Sequence, residues 1–159
     1  THEPAIRIIS NKENLNNPSD RDHSLEYMIA AGLIFKEVKS ETYEDNFSGI
    51  KQIENLRKKI KVQENKEFTD SYYDLSKRHI ANTIYFQYTD GSFSKKETVE
   101  TPIGHPNRRE EAEPLLKQKF INNMSSHFSE DKAKDIWDKI LLIDVDSEFK
   151  EVIKLLSND

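Results

Sequence analysis

Between residues 80 and 101 the chain has little choice of local fold. Ile80, Asn82, Ile84, Phe86 and Tyr88 alternate with Ala81, Thr83, Tyr85, Gln87 and Thr89, the period of two that marks a β-strand. Asp90-Gly91 follows, a pair suited to a hairpin because primed turns need positive φ. Phe93 to Thr101 is then the return strand, and Lys95, Lys96 and Glu97 mark it as an exposed edge. Pro102-Ile103-Gly104-His105-Pro106 ends the hairpin abruptly.

Around this hairpin the pattern is mostly helical. Ala5 to Ile9 alternates weakly and predicts a short strand, and Asn11 to Asn17 predicts a loop. Ser19, Asp20 or Asp22 is expected to cap a helix running to about Lys36. Leu25, Met28, Ile29 and Leu33, flanked by Ala31 and Ile34, give that helix a wide apolar face, so it should be largely buried. Thr42 to Phe47 reads as loop. Ile50, Ile53, Leu56 and Ile60 form the stripe of a second helix, with Arg57 at an edge expected to reach solvent. Lys61 to Glu64 is compatible with a short strand, and residues 65–79, with Phe68, Tyr72 and Tyr73, read as an ordered loop. After the hairpin, Glu110 to Met124 predicts a helix with Leu115, Leu116, Phe120 and Met124 on its apolar side; Pro114 is tolerable there only near the first turn. Ser129 opens a helix carrying Ala133, Ile136, Trp137, Ile140 and Leu141. Asp146 or Ser147 starts a last one with Phe149, Val152, Ile153, Leu155 and Leu156. The order predicts an α+β fold: a small antiparallel sheet with a β-hairpin packed by helices, followed by a C-terminal helical tail.

Composition narrows the function. The chain has 159 residues and a formal net charge of -5, which argues against a general nucleic-acid binder. No cysteine is present, so disulfides, thiol nucleophiles and thiolate metal sites are excluded. This fits a reducing, cytoplasmic setting. No apolar run approaches the roughly 20 residues that span a bilayer. The sequence opens on Thr1-His2-Glu3 without an initiator Met, and so reads as a piece of a longer protein.

Two segments carry candidate chemistry. His23 and Tyr27 are four residues apart and are expected to share one helical face near its N-terminus. Tyr27 can exchange a proton if its pKa is lowered, Ser24 can donate a hydrogen bond, and N-terminal amides favour a carboxylate. Equally, Tyr27 can be a packed core residue with its hydroxyl satisfied. In the second segment His105, Arg108 and Arg109 sit in a turn before a helix. Adjacent guanidiniums can clamp carboxylates; they can equally form a solvated corner paired with Glu110, Glu111 and Glu113. Of the other histidines, His79 reads as structural and His127 as a surface residue near a helix C-terminus. No histidine pair has metal-protease spacing, and no metal site is expected.

At these segments the sequence resembles the C-terminal part of the MmgE/PrpD family. Asn17-Pro18-Ser19-Asp20-Arg21-Asp22-His23 is similar to the family's NPADRDH, and Tyr43-Glu44-Asp45 to its YED. Phe68-Thr69, Tyr72-Tyr73-Asp74 and Lys77-Arg78 resemble one stretch. Pro102 to His105 with Arg108-Arg109, Pro114, Leu116 and Lys119-Phe120 resemble another. Ala112 stands where the family usually has Gly, and Leu75-Ser76 where it has Pro-Glu.

The resemblance implies that residues 1–108 are an α+β lid-type domain and 109–159 a helical segment returning to an N-terminal helical domain. It implies removal of water from a tricarboxylate, 2-methylcitrate, in propionate catabolism, by a cytoplasmic homodimer without a cofactor or iron–sulfur cluster. Tyr27 is the implied catalytic residue, with His23, Ser24, His105, Arg108 and Arg109 as substrate-binding candidates. Within the family, cis-aconitate decarboxylation and iminodisuccinate epimerisation are the alternative reactions. Outside enzymology the alternative is a non-catalytic lid or dimerisation module.

Overall fold

The structure is a computed structural model that describes residues 1–10, 13–144 and 149–157. It divides into two compact units, Thr1–Pro102 and Ile103–Asp159. Among the described residues, eight α-helices, two 3-10 turns and one two-stranded antiparallel sheet make the expected α+β fold.

In the first unit the chain begins as a helix, α1 (Glu3–Ile9), where a strand was expected. Pro4 occupies its first turn with Glu3 beside it, and both suit a helix N-terminus better than the weak alternation suits a strand. Its entry is fixed from a distance: the Glu3 amide donates to Thr69 Oγ1 at 2.9 Å. Residues 65–79, expected as a loop, hold α5 (Lys66–Tyr73), against which α1 packs. Asn65 caps α5 by accepting from the amides of Glu67 and Phe68, a signal hidden by the polar composition of the segment. Lys61 to Glu64 forms no strand, yet Gln63 O accepts from the Thr1 amine and Thr1 O from the Asn65 amide.

The core lies between α3 (Leu25–Phe35) and α4 (Ile50–Arg57). Tyr27, Ala30, Ala31 and Ile53 are fully buried in it, with Leu15, Ile34, Phe35, Tyr43, Phe47, Leu56 and Ile60 packed around them. Small alanines let the two helices approach, and no residue of α3 is fully exposed. The Phe35 and Phe47 rings meet edge to face at 5.3 Å and close over Gly49. A Cβ there would stand 2.6 Å from Phe47 Cε1 and 2.8 Å from Phe35 Cε2, so any side chain would force the two rings to shift. Lys36 ends α3 in the left-handed region at φ 67°. Arg57 is buried rather than solvent-facing, because Glu54 and the Glu13 carbonyl receive its guanidinium.

The hairpin is present and shorter than its sequence pattern. Strands β1 (Asn82–Ile84) and β2 (Glu97–Val99) pair Asn82 with Val99, Thr83 with Thr98 and Ile84 with Glu97, and one further bridge joins Gln87 to Phe93. The turn is not a primed one. Gly91 takes φ 87°, and Asp90 is not in the left-handed region. Gly91 N donates to Tyr88 O, and Asp90 Oδ1 accepts from the amide and hydroxyl of Ser92, so an Asp side chain finishes what the backbone begins.

In the second unit α6 (Arg109–Met124) packs on α7 (Glu130–Ile140), with the Phe120 and Trp137 rings 5.3 Å apart and Ala112, Ile121, Ala133 and Ile136 buried. The buried face of α6 is thus Ala112 and Ile121, while Leu115 and Leu116, expected inside, are about half exposed. Pro114 lies inside α6 beyond its first turn, on the exposed side where water can take the carbonyl it leaves unbonded. Ser129 caps α7 as expected. The last helix is α8 (Phe149–Leu155); the expected start at Asp146 or Ser147 lies outside the described residues.

One buried base makes the first unit sensitive to acid. His2 is 5% exposed, stacks on Tyr72 at 4.7 Å, and hydrogen-bonds the Ala81 backbone. Burial, the largest influence, holds its pKa below the ordinary value. The protonated ring is therefore favoured in the unfolded chain, so this contribution is complete above about pH 6.5 and is lost as pH falls through that value. Urea melts followed by circular dichroism should show stability declining below that pH. His2→Phe, which keeps the stack and removes the titration, should flatten that part of the profile.

Candidate functional site

The segment 16–27 folds as two helices with a shared joint. Asn17 caps α2 (Pro18–Asp22), its side chain accepting from the Asp20 amide at 2.9 Å. Asp20 in turn accepts from the Asn16 amide and Asn17 Nδ2. Ser24, not Ser19, Asp20 or Asp22, caps α3, its Oγ accepting from the Tyr27 amide at 3.3 Å. The polar residues of this stretch are thus consumed in forming two closely spaced helix starts.

The joint separates His23 from Tyr27. His23 is the C-terminal cap of α2, with φ -102° and ψ 20°, and does not share a helical face with Tyr27. The i, i+4 relation needs one continuous helix, and Ser24 interrupts it. His23 is exposed, and its Nδ1 contacts the Asp22 carboxylate and, at 3.1 Å, the Ser19 carbonyl. The Asp22 carboxylate beside it raises its pKa. Tyr27 is fully buried and donates its hydroxyl to the Thr42 carbonyl at 2.8 Å. Burial raises its pKa, with the charge of Arg21 acting in the opposite sense. Ser24 is buried as well.

Two buried charged residues that sequence reasoning did not single out lie beside them. Arg21, 3% exposed, donates from Nε to the Tyr43 carbonyl at 2.7 Å and from Nη2 to Asp45. It thereby joins two motifs that are separate in sequence, 17–23 and 43–45. Their joint appearance among the resembling segments was the available signal. Glu26 is fully buried and accepts from Ser10 Oγ at 2.6 Å. Its Oε2 has no hydrogen-bond partner among the described residues. The 3-10 turn Ser40–Tyr43 takes in the first two residues of the loop expected at Thr42–Phe47, and its Thr42 and Tyr43 carbonyls accept from Tyr27 and Arg21.

The second candidate cluster belongs to the other compact unit. His105 is buried and caps a 3-10 turn, Pro106–Arg108, with Nδ1 accepting from the Asn107 amide at 3.2 Å. That bond places the ring proton on Nε2. Arg108 makes a two-point contact with Glu111, at 3.1 and 2.7 Å, and that contact raises the Arg108 pKa and lowers that of Glu111. Arg109 is exposed in the first turn of α6. A shallow cleft at residues 106–111 has both arginines in its wall. A carboxylate entering it would meet Arg109 directly and would compete with Glu111 for Arg108. Among the described residues, no three His, Asp or Glu converge as metal ligands, and no helix is long and apolar enough to cross a membrane.

The family model for the MmgE/PrpD C-terminal domain matches residues 1–144. The 2-methylcitrate dehydratase of Escherichia coli (strain K12) is 46% identical over 128 residues, which is 80% of this chain and 26% of that protein. The 2-methylcitrate dehydratase of Salmonella typhimurium is 43% identical over 138 residues, 87% of this chain and 29% of that protein. A probable 2-methylcitrate dehydratase of Saccharomyces cerevisiae is 40% identical over 134 residues, 84% of this chain and 26% of that protein. The chain thus spans about a quarter of the length of the curated relatives it matches.

Removing the Arg21 side chain should loosen the joint. Arg21→Ala leaves the Tyr43 carbonyl without its donor, which typically costs about 1–3 kcal/mol. A drop of that size in urea melts is expected, while Asp45→Ala, at the exposed end of the same contact, should cost well under half as much.

Proposed function

The chain belongs to the MmgE/PrpD family, and from that membership we propose that it is the C-terminal part of a 2-methylcitrate dehydratase, a hydro-lyase. The observation that carries the proposal is 46% identity to a protein of that name over 80% of the chain. The reaction removes a proton α to a carboxylate and expels the hydroxyl as water, giving 2-methyl-cis-aconitate. It needs a base, an acid for the leaving hydroxyl, and cations that hold the carboxylates. It would belong to propionate catabolism in the cytoplasm.

In this proposal residues 1–108 act as the lid-type domain and 109–159 return toward an N-terminal helical domain, which supplies the remaining acid–base groups. The working enzyme is a homodimer. Arg109, with Arg108 released from Glu111, holds a substrate carboxylate, and His105 orients that turn. Within the first unit, His23 is a candidate carboxylate contact in its own right, its positive charge favoured by Asp22. Tyr27 and Ser24 form the wall behind it, Tyr27 serving the chemistry by hydrogen-bonding substrate or moving a proton.

One observation favours a second proposal for Tyr27 within this chain. Its hydroxyl is enclosed and already donates to Thr42 O, which suits a residue that fixes the 3-10 turn rather than one that meets substrate. On that proposal the chain by itself is a non-catalytic lid.

Two measurements test these proposals. The 159-residue chain alone should not turn over 2-methylcitrate, followed by the absorbance of the conjugated product; measurable turnover would overturn the need for a second domain. In a full-length enzyme carrying this domain, Tyr27→Phe should lower kcat by about 100-fold or more, the scale of general acid–base catalysis, with the circular dichroism spectrum unchanged. An unchanged kcat with a lowered Tm would assign Tyr27 to packing alone.

A further inference from the structure

Of the candidate side chains between His23 and Tyr27, one turns a titrating atom outward. The Tyr27 hydroxyl is enclosed and already donates to Thr42 O, and Ser24 is buried with its Oγ accepting from the Tyr27 amide. The His23 side chain is instead 68% exposed. Its ring is nevertheless held from one side. Nδ1 lies against the Asp22 carboxylate and 3.1 Å from the Ser19 carbonyl, one of the oxygens that a helix end leaves open.

Both neighbours of Nδ1 are acceptors, so Nδ1 keeps a proton in either charge state of the ring. Nε2, which has no partner among the described residues, is then the atom that gains and loses one. Asp22 is the charge that touches the ring. The other charged groups nearby are turned elsewhere: Arg21 to Tyr43 O and Asp45, Asp20 to Asn16 and Asn17, Glu26 to Ser10, and Glu41 to Ser40. Tyr43, on the turn packed against α2, stays neutral, since burial and then Asp22 raise its pKa. The Asp22 carboxylate is accordingly the main cause of the raised His23 pKa.

We propose that His23 is the general acid of the dehydration, giving the proton on Nε2 to the departing hydroxyl, and that Asp22 is its positioning residue. This rests on the chain being part of a dehydratase, and it assigns His23 a step that a carboxylate contact does not perform. A base from elsewhere in the enzyme takes the proton α to the carboxylate, and the C–H electron pair becomes the double bond. The C–O pair leaves with the oxygen, which takes the proton from Nε2 and departs as water. His23 is left neutral with Nδ1–H still on Asp22, and its exposed edge is recharged by a proton from solvent. A fixed positive charge could hold a carboxylate, but an acid must also release its proton.

The pH dependence of kcat in a full-length enzyme carrying this domain tests it. In the wild type kcat should fall as pH rises through the His23 pKa, because the acid is lost. Asp22→Asn removes the carboxylate that favours the cation, so this alkaline limb should move to lower pH. His23→Asn should lower kcat by about 100-fold or more and abolish the limb, with the circular dichroism spectrum unchanged. His23→Arg keeps a positive charge that does not release its proton, so it should be as slow as His23→Asn. Recovery of kcat in His23→Arg would reduce His23 to a carboxylate contact and overturn the proposal. An unchanged kcat in His23→Asn, or an alkaline limb that stays in place in Asp22→Asn, overturns it as well. A wild type without turnover of 2-methylcitrate removes the dehydratase assignment itself and this proposal with it, so the two failures look different. A readout free of turnover is an NMR titration of the 159-residue chain. His23 should titrate above the ordinary value of about 6.5, and lower in Asp22→Asn; a His23 at or below the ordinary value overturns the proposal.

Discussion

Two consecutive carbonyls, those of Thr42 and Tyr43, must be satisfied where the 3-10 turn packs on α2, and both receive side-chain donors. Tyr27 reaches the first and Arg21 the second. A carbonyl buried without a donor costs as much as a lost hydrogen bond, so these bonds tie the 21–27 segment to the 3-10 turn. Much of the first unit's core follows from this seam. With α3 held against the turn, Tyr27, Ala30 and Ala31 meet Ile53 of α4, and Phe35 and Phe47 close over Gly49.

The same seam shapes the candidate site. The joint at Ser24 sends Tyr27 inward and leaves His23 outward. A substrate approaching from solvent would meet His23 before Tyr27. In the other unit the arrangement is similar in kind. His105 is committed to capping and Arg108 to Glu111, so Arg109 is the more available cation. In each unit, then, the exposed candidate is a basic side chain, His23 or Arg109, while Tyr27 is enclosed.

Local signals in the sequence were reliable where a single residue type decides the backbone. The Ser129 cap, the hairpin position, the end of α3 near Lys36 and the apolar stripe of α4 were all legible. Failures came where two local readings competed. Pro4 with Glu3 outweighed a weak alternation at 5–9, Asn65 started a helix in a segment that looked like loop, and Ser24 split one expected helix into two. At Asp90-Gly91 the dipeptide located the turn without fixing its type, since Ser92 hydrogen bonds hold Asp90 with Gly91 alone at positive φ.

By itself the sequence determined the family, the α+β class and the residues carrying candidate chemistry, because these depend on residue type, spacing and motif order. Tertiary structure decided which of those residues are reachable. Tyr27 and Ser24 became core, His23 remained at the surface, and Arg21 and Arg57 went inside with partners 22 to 44 residues away. Burial of a polar side chain is settled by whether a distant backbone or carboxylate satisfies it, and no local pattern records where that partner will be.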